Sequence, residues 1–397
     1  MRIDITVVVP FGNVAQWLAK ALDSVLKQEK EDLNVEVSLF DDSSTDGSQQ
    51  IAEAYVAIFE RHNFACCFKT NSDTGRPGGV GYAKNQAVRQ GRGKYLCFLD
   101  ADDEMLPGRL LRQYRAASAL PYSTIIGSKF RRLPPGSTER YSRWANNLPL
   151  SSLPVQIYTS HGPPVVAPTW FLSRRLFEEV GGFVEYAEPY PEDLDFMYRA
   201  LKIGATLFRV DEELVIYRHH SACASLLISE QQIWNIRISH FISDVLQHWE
   251  AFTIWNAGRQ GRRFFKSLPS WCQDRVICMC DVDKRKVFQG VYELYDQKKR
   301  AVLRRVPIIS VHEANPPLVI CVKLDMTNGQ LEALINAKRL KEGCQCLKLA
   351  KRDCDDFITY AITANRDYDK FQLRVLTENQ LKCLVVVNGS MRPLILK

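Results

Sequence analysis

The run "YLCFLDADDEM", residues 95–105, sets the strongest limit on what this chain folds into. Tyr95 to Leu99 are five apolar residues in a row, the signature of a short strand buried on both faces. Strands of that kind belong to parallel sheets covered by helices. The run then stops on Asp100, Asp102, Asp103 and Glu104, carboxylates that repel one another unless positive charge is brought to them. Two earlier runs follow the same grammar: "ITVVVP" (5–10) closes on Pro10, and "NVEVSLFDD" (34–42) ends in Asp41 and Asp42. Helical patterns lie between them. Residues 14–28 place Leu18, Leu22, Val25 and Leu26 on one face, and residues 47–62 form a second helix. Strand and helix in alternation predict an α/β fold with a mostly parallel sheet, whose ligands sit beyond the carboxyl ends of the strands. The acids fall at those ends.

Downstream the pattern divides the chain. Residues 1–228 read as one α/β domain, irregular and Pro-rich after residue 116. Residues 229–250 read as a helical linker. "FTIWNAGRQGRRFFKSL" opens a fresh strand-turn-helix unit, and "RVICMCDVD" is its next strand, so 251–345 read as a smaller Rossmann-like α/β domain. Residues 346–397 form a tail in which "FITYAI" and "KCLVVVNG" have strand character. The stretch "NAGRQG" imitates the dinucleotide fingerprint G-x-G-x-x-G, with Asn256 replacing the first glycine before Gly258 and Gly261. Asp281 and Asp283 close the next strand, where a ribose-binding acid sits in such folds. Without the first glycine, a scaffold or an RNA contact through Arg259, Arg262 and Arg263 is favoured over a bound nucleotide.

Charge separates the same two parts. The chain carries a net +7, yet residues 251–397 hold 26 basic and 15 acidic residues, against 26 and 30 before them. An acidic part that does chemistry and a basic part that meets a polyanion is the expectation, beside the plainer one of a solvated basic surface. No apolar stretch reaches the ~20 residues that span a bilayer. The opening residues lack a basic segment and cleavage site, so the expected setting is the cytoplasm without membrane contact. The twelve cysteines show no zinc-ribbon spacing and are expected to be small buried hydrophobes.

Four segments carry chemistry. Asp100 and Asp102, with Asp103 behind them, offer oxygen ligands suited to Mg²⁺ or Mn²⁺, with helix capping as the alternative. "FDDSSTDGS" (40–48) supplies acids, hydroxyls and Gly47 for the polar edges of a ligand. "RPGGVGYAKNQAV" (76–88) is a Gly-rich loop entering a helix that carries Lys84, a combination that attracts phosphate but lacks P-loop spacing. "YPEDLDF" (190–196) places Glu192 and Asp193 at a helix start, where either can serve as general base.

Together, in this order, these motifs resemble the inverting family 2 glycosyltransferases of GT-A fold over residues 3–225. The resemblance implies a UDP-sugar donor, with Pro10 and Phe11 along the uridine, Asp42 on the uracil edge and Lys84 on the diphosphate. It makes Asp100 and Asp102 the family's D-x-D pair, Asp102 the direct Mn²⁺ or Mg²⁺ ligand and Asp193 the catalytic base. "YRHHSACAS" (217–225) is similar to the family's closing segment and implies His220 near the metal or diphosphate.

A narrower resemblance rests on "GVGYAKNQAV", "GSTERYSRW" (136–144), "FTIWNAGRQGRR" (252–263) and "VICVKLD" (319–325). These stretches look like the queuosine-tRNA galactosyltransferases, earlier classed as β-1,3-N-acetylglucosaminyltransferase-like. The likeness extends to about residue 345. It implies transfer of galactose from UDP-galactose to queuosine at the wobble position of cytoplasmic tRNA, tRNA-Tyr by that family. The unpaired anticodon bases would be received beside aromatics such as Trp144 or Trp170, although core packing is the favoured reading of either tryptophan. Two other functions stand beside it: an N-acetylglucosaminyltransferase using UDP-GlcNAc on a glycan or protein, and a non-catalytic sugar-nucleotide or RNA-binding protein.

Overall fold

The computed structural model describes residues 2–71, 75–158, 162–322, 327, 329–338 and 340–348, with 361–363, 386–387 and 390–391 besides. They form two compact units: residues 1–154 with 162–232, and residues 155–161 with 233–397. The tail segments "FITYAI" and "KCLVVVNG" and the end of "VICVKLD" lie largely outside the described residues.

The first unit is built on eight strands, β1 (Ile5–Phe11), β2 (Val35–Asp41), β3 (Ala65–Thr70), β4 (Tyr95–Phe98), β5 (Glu104–Met105), β6 (Thr124–Leu133), β7 (Phe171–Ser173) and β8 (Thr206–Arg218). They pair in the order β3-β2-β1-β4-β7-β6-β8-β5. Four of the seven pairs in the sheet, β3-β2-β1-β4 and β6-β8, run parallel, and β1, β2 and β4 are buried at every residue. Only β7 and the two-residue β5 pair antiparallel. The α/β class and the second, smaller sheet agree with the alternation read from the sequence.

Helices α1 (Ala15–Leu26), α2 (Ser48–Arg61), α3 (Val80–Gln90), α4 (Arg109–Ala119), α5 (Glu139–Asn147), α6 (Leu153–Gln156), α7 (Arg174–Val180) and α8 (Glu192–Lys202) complete the unit. Leu18, Leu22 and Val25 of α1 pack into a core with Val7, Val9, Val37 and Leu39. Trp170, Phe177, Phe183 and Phe196 form a second aromatic nest. Trp170 is 1% exposed and its indole N–H donates to the Val165 carbonyl at 2.8 Å, so it is core; Trp144 is buried too.

In the second unit, β9 (Phe252–Trp255), β10 (Val276–Asp281), β11 (Val291–Asp296), β12 (Ala301–Ser310), β13 (Leu318–Ile320), β14 (Lys341–Lys348) and β15 (Ala361–Thr363) pair in the order β11-β12-β10-β9-β13-β14-β15. The five central strands are parallel, and in sequence rank their order is 3-2-1-4-5, the doubly wound arrangement. Helix α9 (Glu230–Asp244) brings Trp234, Ile238 and Phe241 into this unit's core beside Phe252 and Phe264.

The fingerprint-like loop lies where β9 meets α10 (Arg259–Ser267). Asn256 takes φ +117°, a value that favours glycine, and its side chain bridges the loop. Its Oδ1 accepts the Gly258 N–H and its Nδ2 donates to the Cys321 carbonyl, each at 2.6 Å. Asp281 accepts the Ala257 N–H at 2.9 Å and pairs with Lys286 at 2.8 Å. Two amides of the loop, those of Ala257 and Gly258, are therefore bonded within the protein. Gly261 is needed for closeness: a Cβ there would lie 1.8 Å from the Asn256 carbonyl oxygen.

Gly93 imposes a similar limit in the first unit, since a Cβ would stand 2.3 Å from the Thr6 backbone nitrogen at the start of β1. Gly93→Ala is expected to cost about 2–3 kcal/mol, the range of overpacking in a closed core. The denaturation midpoint against the parent protein measures it.

Candidate active site

Parallel pairing carries the ends of β1, β2 and β4 to one edge of the sheet, with Phe11 opposite Asp41 in register. Two clusters of side chains gather there, joined by the Asp100-to-Asp103 turn.

The first cluster centres on Lys84. Helix α3 turns Ala83, Lys84, Ala87 and Val88 inward, so the ammonium is 5% exposed. Its Nζ donates to Glu192 Oε1 at 2.7 Å, stands 4.0 Å from Asp100 and lies 5.4 Å from the Phe183 ring centre. Burial alone pulls its pKa down, but Glu192, then Asp100 and Asp193, outweigh burial and leave it raised. The cation stays charged at all physiological pH. Asp193 sits beside this pair in the first turn of α8, where Glu192, Asp193 and Asp195 face the positive helix end. Burial, and then the charge on Glu192, push the Asp193 carboxyl up to about 7, against the opposing pull of Lys84 and of the Leu194 N–H it accepts. A carboxylate with that proton affinity is a competent general base near neutrality.

The second cluster holds Asp102, His220, Cys223, Arg218 and Glu104. His220 Nε2 lies 2.8 Å from Asp102 Oδ2, while His220 Nδ1 receives the Ala222 N–H at 3.2 Å. As it stands, the ring therefore presents Nε2–H to the carboxylate. Donor atoms at right angles on an ion with ~2.1 Å bonds stand roughly 3.0 Å apart, so this pair fits a shared Mg²⁺ or Mn²⁺ that replaces the Nε2 proton. Arg218 braces the turn. Its guanidinium reaches Glu104 at 2.5 Å and the Asp102 carbonyl at 2.9 Å, and it stacks 4.3 Å from the Trp17 ring centre. The Arg218 N–H donates to Asp103 at 2.7 Å. Asp103 is fully buried, and burial with the charges on Asp102 and Asp100 raises its pKa well above the ordinary carboxyl value.

Several of the expected donor-binding residues hold partners within the protein. Lys84 is bonded to Glu192 and stands beside Asp100. Asp42 accepts the N–H groups of Gly78 and Gly79, each at 2.8 Å, and Asn71 Nδ2 at 3.0 Å, so both its oxygens clamp the Gly-rich loop. Phe11 is 4% exposed and stacks on Phe68 at 6.4 Å within the core, and Pro10 is buried within β1. Asp100, Asp102, Asp193 and His220 remain at the site edge.

Three residues were not singled out by sequence reasoning: Arg132, Arg218 and Cys223. Arg132 stacks 3.7 Å from the Tyr217 ring centre and donates to Thr138 at 2.9 Å; burial raises the pKa values of Tyr141 and Cys223 against its opposing charge, and burial followed by Arg132 lowers that of His219. Tyr141 feels the charges of both Arg132 and Asp193. "FRRLPPGS" carries no spacing that marks it, whereas Arg218 and Cys223 stand within the quoted "YRHHSACAS".

Residues 6–181 match the family model described as glycosyl transferase family 2. An uncharacterized glycosyltransferase of Rickettsia felis is 26% identical over 257 residues, which are 61% of this chain and 39% of that protein. The uncharacterized glycosyltransferase EpsJ of Bacillus subtilis is 27% identical over 54% of this chain and 61% of its own length. The chain thus spans only part of the curated relatives it matches. Among solved structures, S. aureus TarS 1–349 in complex with UDP-GlcNAc covers 68% of this chain and 71% of its own, at 19% identity and TM-score 0.46. The mannosyltransferase PcManGT from Pyrobaculum calidifontis, in complex with GDP-Man and Mn²⁺, covers 62% and 65% at 19% identity and TM-score 0.44. Among the described residues, no helix is long and apolar enough to cross a membrane.

Replacing Lys84 by Met leaves Glu192, Asp100 and Asp193 buried without their cation. Stability at neutral pH is expected to fall by about 3–5 kcal/mol, the cost of breaking a buried pair from one side. The loss shrinks as pH falls, because the orphaned carboxylates then take up protons. Urea denaturation at pH 7.5 and pH 5 tests both the size and the sign.

Proposed function

We propose that the chain is an inverting glycosyltransferase that moves galactose from UDP-galactose to queuosine in the anticodon of tRNA. The observation that carries the transferase reading is Asp193: a half-buried carboxylate, poised near neutrality, beside the Lys84–Glu192 pair, in a cluster whose Asp100 is two residues from Asp102 of the metal-fitting Asp102–His220 pair. Asp193 takes the proton of the acceptor hydroxyl as its oxygen bonds the anomeric carbon. The bond from that carbon to the diphosphate oxygen breaks on the opposite side, so the configuration inverts. Asp102 and His220 would hold a divalent ion, which supplies positive charge to the departing diphosphate. Arg132, whose charge is felt by Tyr141, Cys223 and Asp103, would add positive charge to this region.

The donor sugar and the acceptor rest on the narrower sequence resemblance, and the basic character of residues 251–397 supports a polyanionic partner. A queuosine cyclopentenediol offers the kind of hydroxyl that Asp193 would activate.

The pH profile follows from Asp193, which works only without its proton. kcat/KM is expected to rise about tenfold per pH unit below a pKa of about 7 and to level off above it. Asp193→Asn should lower kcat by at least about 100-fold with UDP-sugar still bound. Glu192→Gln removes the negative charge that raises the Asp193 pKa, so its acid limb should move to lower pH. Stopped transfer assays across pH 5.5–9 read all three.

Donor and acceptor are tested by incubating the protein with queuosine-containing or queuosine-free tRNA, a panel of UDP-sugars and Mn²⁺. The wobble nucleoside is then weighed by mass spectrometry. A gain of one hexose from UDP-galactose alone, on queuosine tRNA alone, is the expected result. A gain on neither tRNA with UDP-sugar bound overturns the acceptor.

A further inference from the structure

Cys223 stands beside the Asp102–His220 pair. One donor atom from each residue, a carboxylate oxygen, an imidazole nitrogen and a thiol sulfur, lie within 4.8 Å of one another. The three come from two short pieces of chain that Arg218 ties together. Asp102 sits on the turn braced by Arg218, and His220 and Cys223 are three residues apart on the turn that follows β8. Cys223 is 7% exposed, a free thiol, and only weakly held: its sulfur accepts the His220 N–H at 3.3 Å and donates to the Arg218 carbonyl at 3.9 Å.

Hard ions such as Mg²⁺ take oxygen donors and leave a thiol unused. Zinc, cadmium and cobalt accept sulfur, nitrogen and oxygen together. On a tetrahedral ion with bonds of about 2.0–2.1 Å to nitrogen or oxygen and about 2.3 Å to sulfur, neighbouring donors lie roughly 3.4–3.6 Å apart. Reaching that spacing requires Asp102 and His220 to part slightly and the sulfur to close by up to about 1.4 Å. A modest change in the Cys223 side-chain torsion supplies such a movement.

We propose that Cys223 turns this position into a three-donor site that binds thiophilic ions more tightly than Mg²⁺, so that zinc displaces a hard ion from it. The step is ligand exchange without redox change: the sulfur–metal bond forms as the thiol proton passes to solvent, and bound water leaves the ion. The inference rests on reading Asp102 and His220 as ion ligands, but its readout needs no sugar transfer.

Metal-free full-length protein is titrated with Co²⁺ and followed by absorption. A thiolate-to-cobalt charge-transfer band saturating at one equivalent is expected, abolished by one equivalent of Zn²⁺ and unchanged by a hundredfold excess of Mg²⁺. Cys223→Ser and Cys223→Ala should each lose the band, and either one that folds suffices. Asp102→Asn should weaken cobalt binding at least tenfold, which ties the band to this site and not to the other cysteines. No band in the parent protein, or an equal band in a folded Cys223 variant, overturns the proposal. A band in a protein without transferase activity supports the ion site while removing the transferase reading; manganese-supported transfer without a band does the reverse.

Discussion

The site depends on how one buried ammonium is shared. A parallel sheet delivers its strand ends to a single edge, and here that edge carries more carboxylates than water alone can keep ionised so close together. Lys84 answers this from beneath. At 2.7 Å from Glu192 the attraction is roughly 6 kcal/mol at an effective dielectric of 20, before the cost of dehydrating both groups. The net gain is small, but the arrangement is steep: remove the cation and three acids lose their balance at once. The other acids are settled differently. Glu104 is paired with Arg218, and Asp103 is pushed toward its neutral form while accepting a backbone N–H.

This distribution also sets the chemistry. The proton affinity of Asp193 is the outcome of a contest in which burial and Glu192 push up and Lys84 and a backbone N–H pull down. Base strength is thus tuned by the same residues that hold helices α3 and α8 together. Structure and reactivity at this edge cannot be altered separately, because both run through one ammonium.

Much of the architecture was legible in the sequence. Unbroken apolar strands such as Val7–Val9 and Leu96–Leu99 can only be buried on both faces, and acids at their ends mark the ligand edge. Periodicity found the inward face of α1. What could not be read was which polar groups had already found partners. Asp42 looks available in "FDDSS", yet the loop 77–79 folds back and uses both its oxygens. Phe11 looks like a platform, but β1 directs its ring into the core against Phe68. Lys84 resembles a phosphate ligand because a lysine after a Gly-rich loop usually is one; only the long-range arrival of Glu192, over a hundred residues on, changes its company. Arg132 gave no local signal, since its meaning depends on Tyr217 and Tyr141 coming together around it.

The Asn256 bridge of the second unit has a consequence of another kind. In a dinucleotide-binding loop the backbone amides wait for a metabolite, and the fold's stability then follows that metabolite's abundance. Here Asn256 takes the Gly258 amide and Asp281 the Ala257 amide, so that side chains of the polypeptide itself hold this stretch of the loop in shape, and its geometry is as durable as the sequence that encodes them.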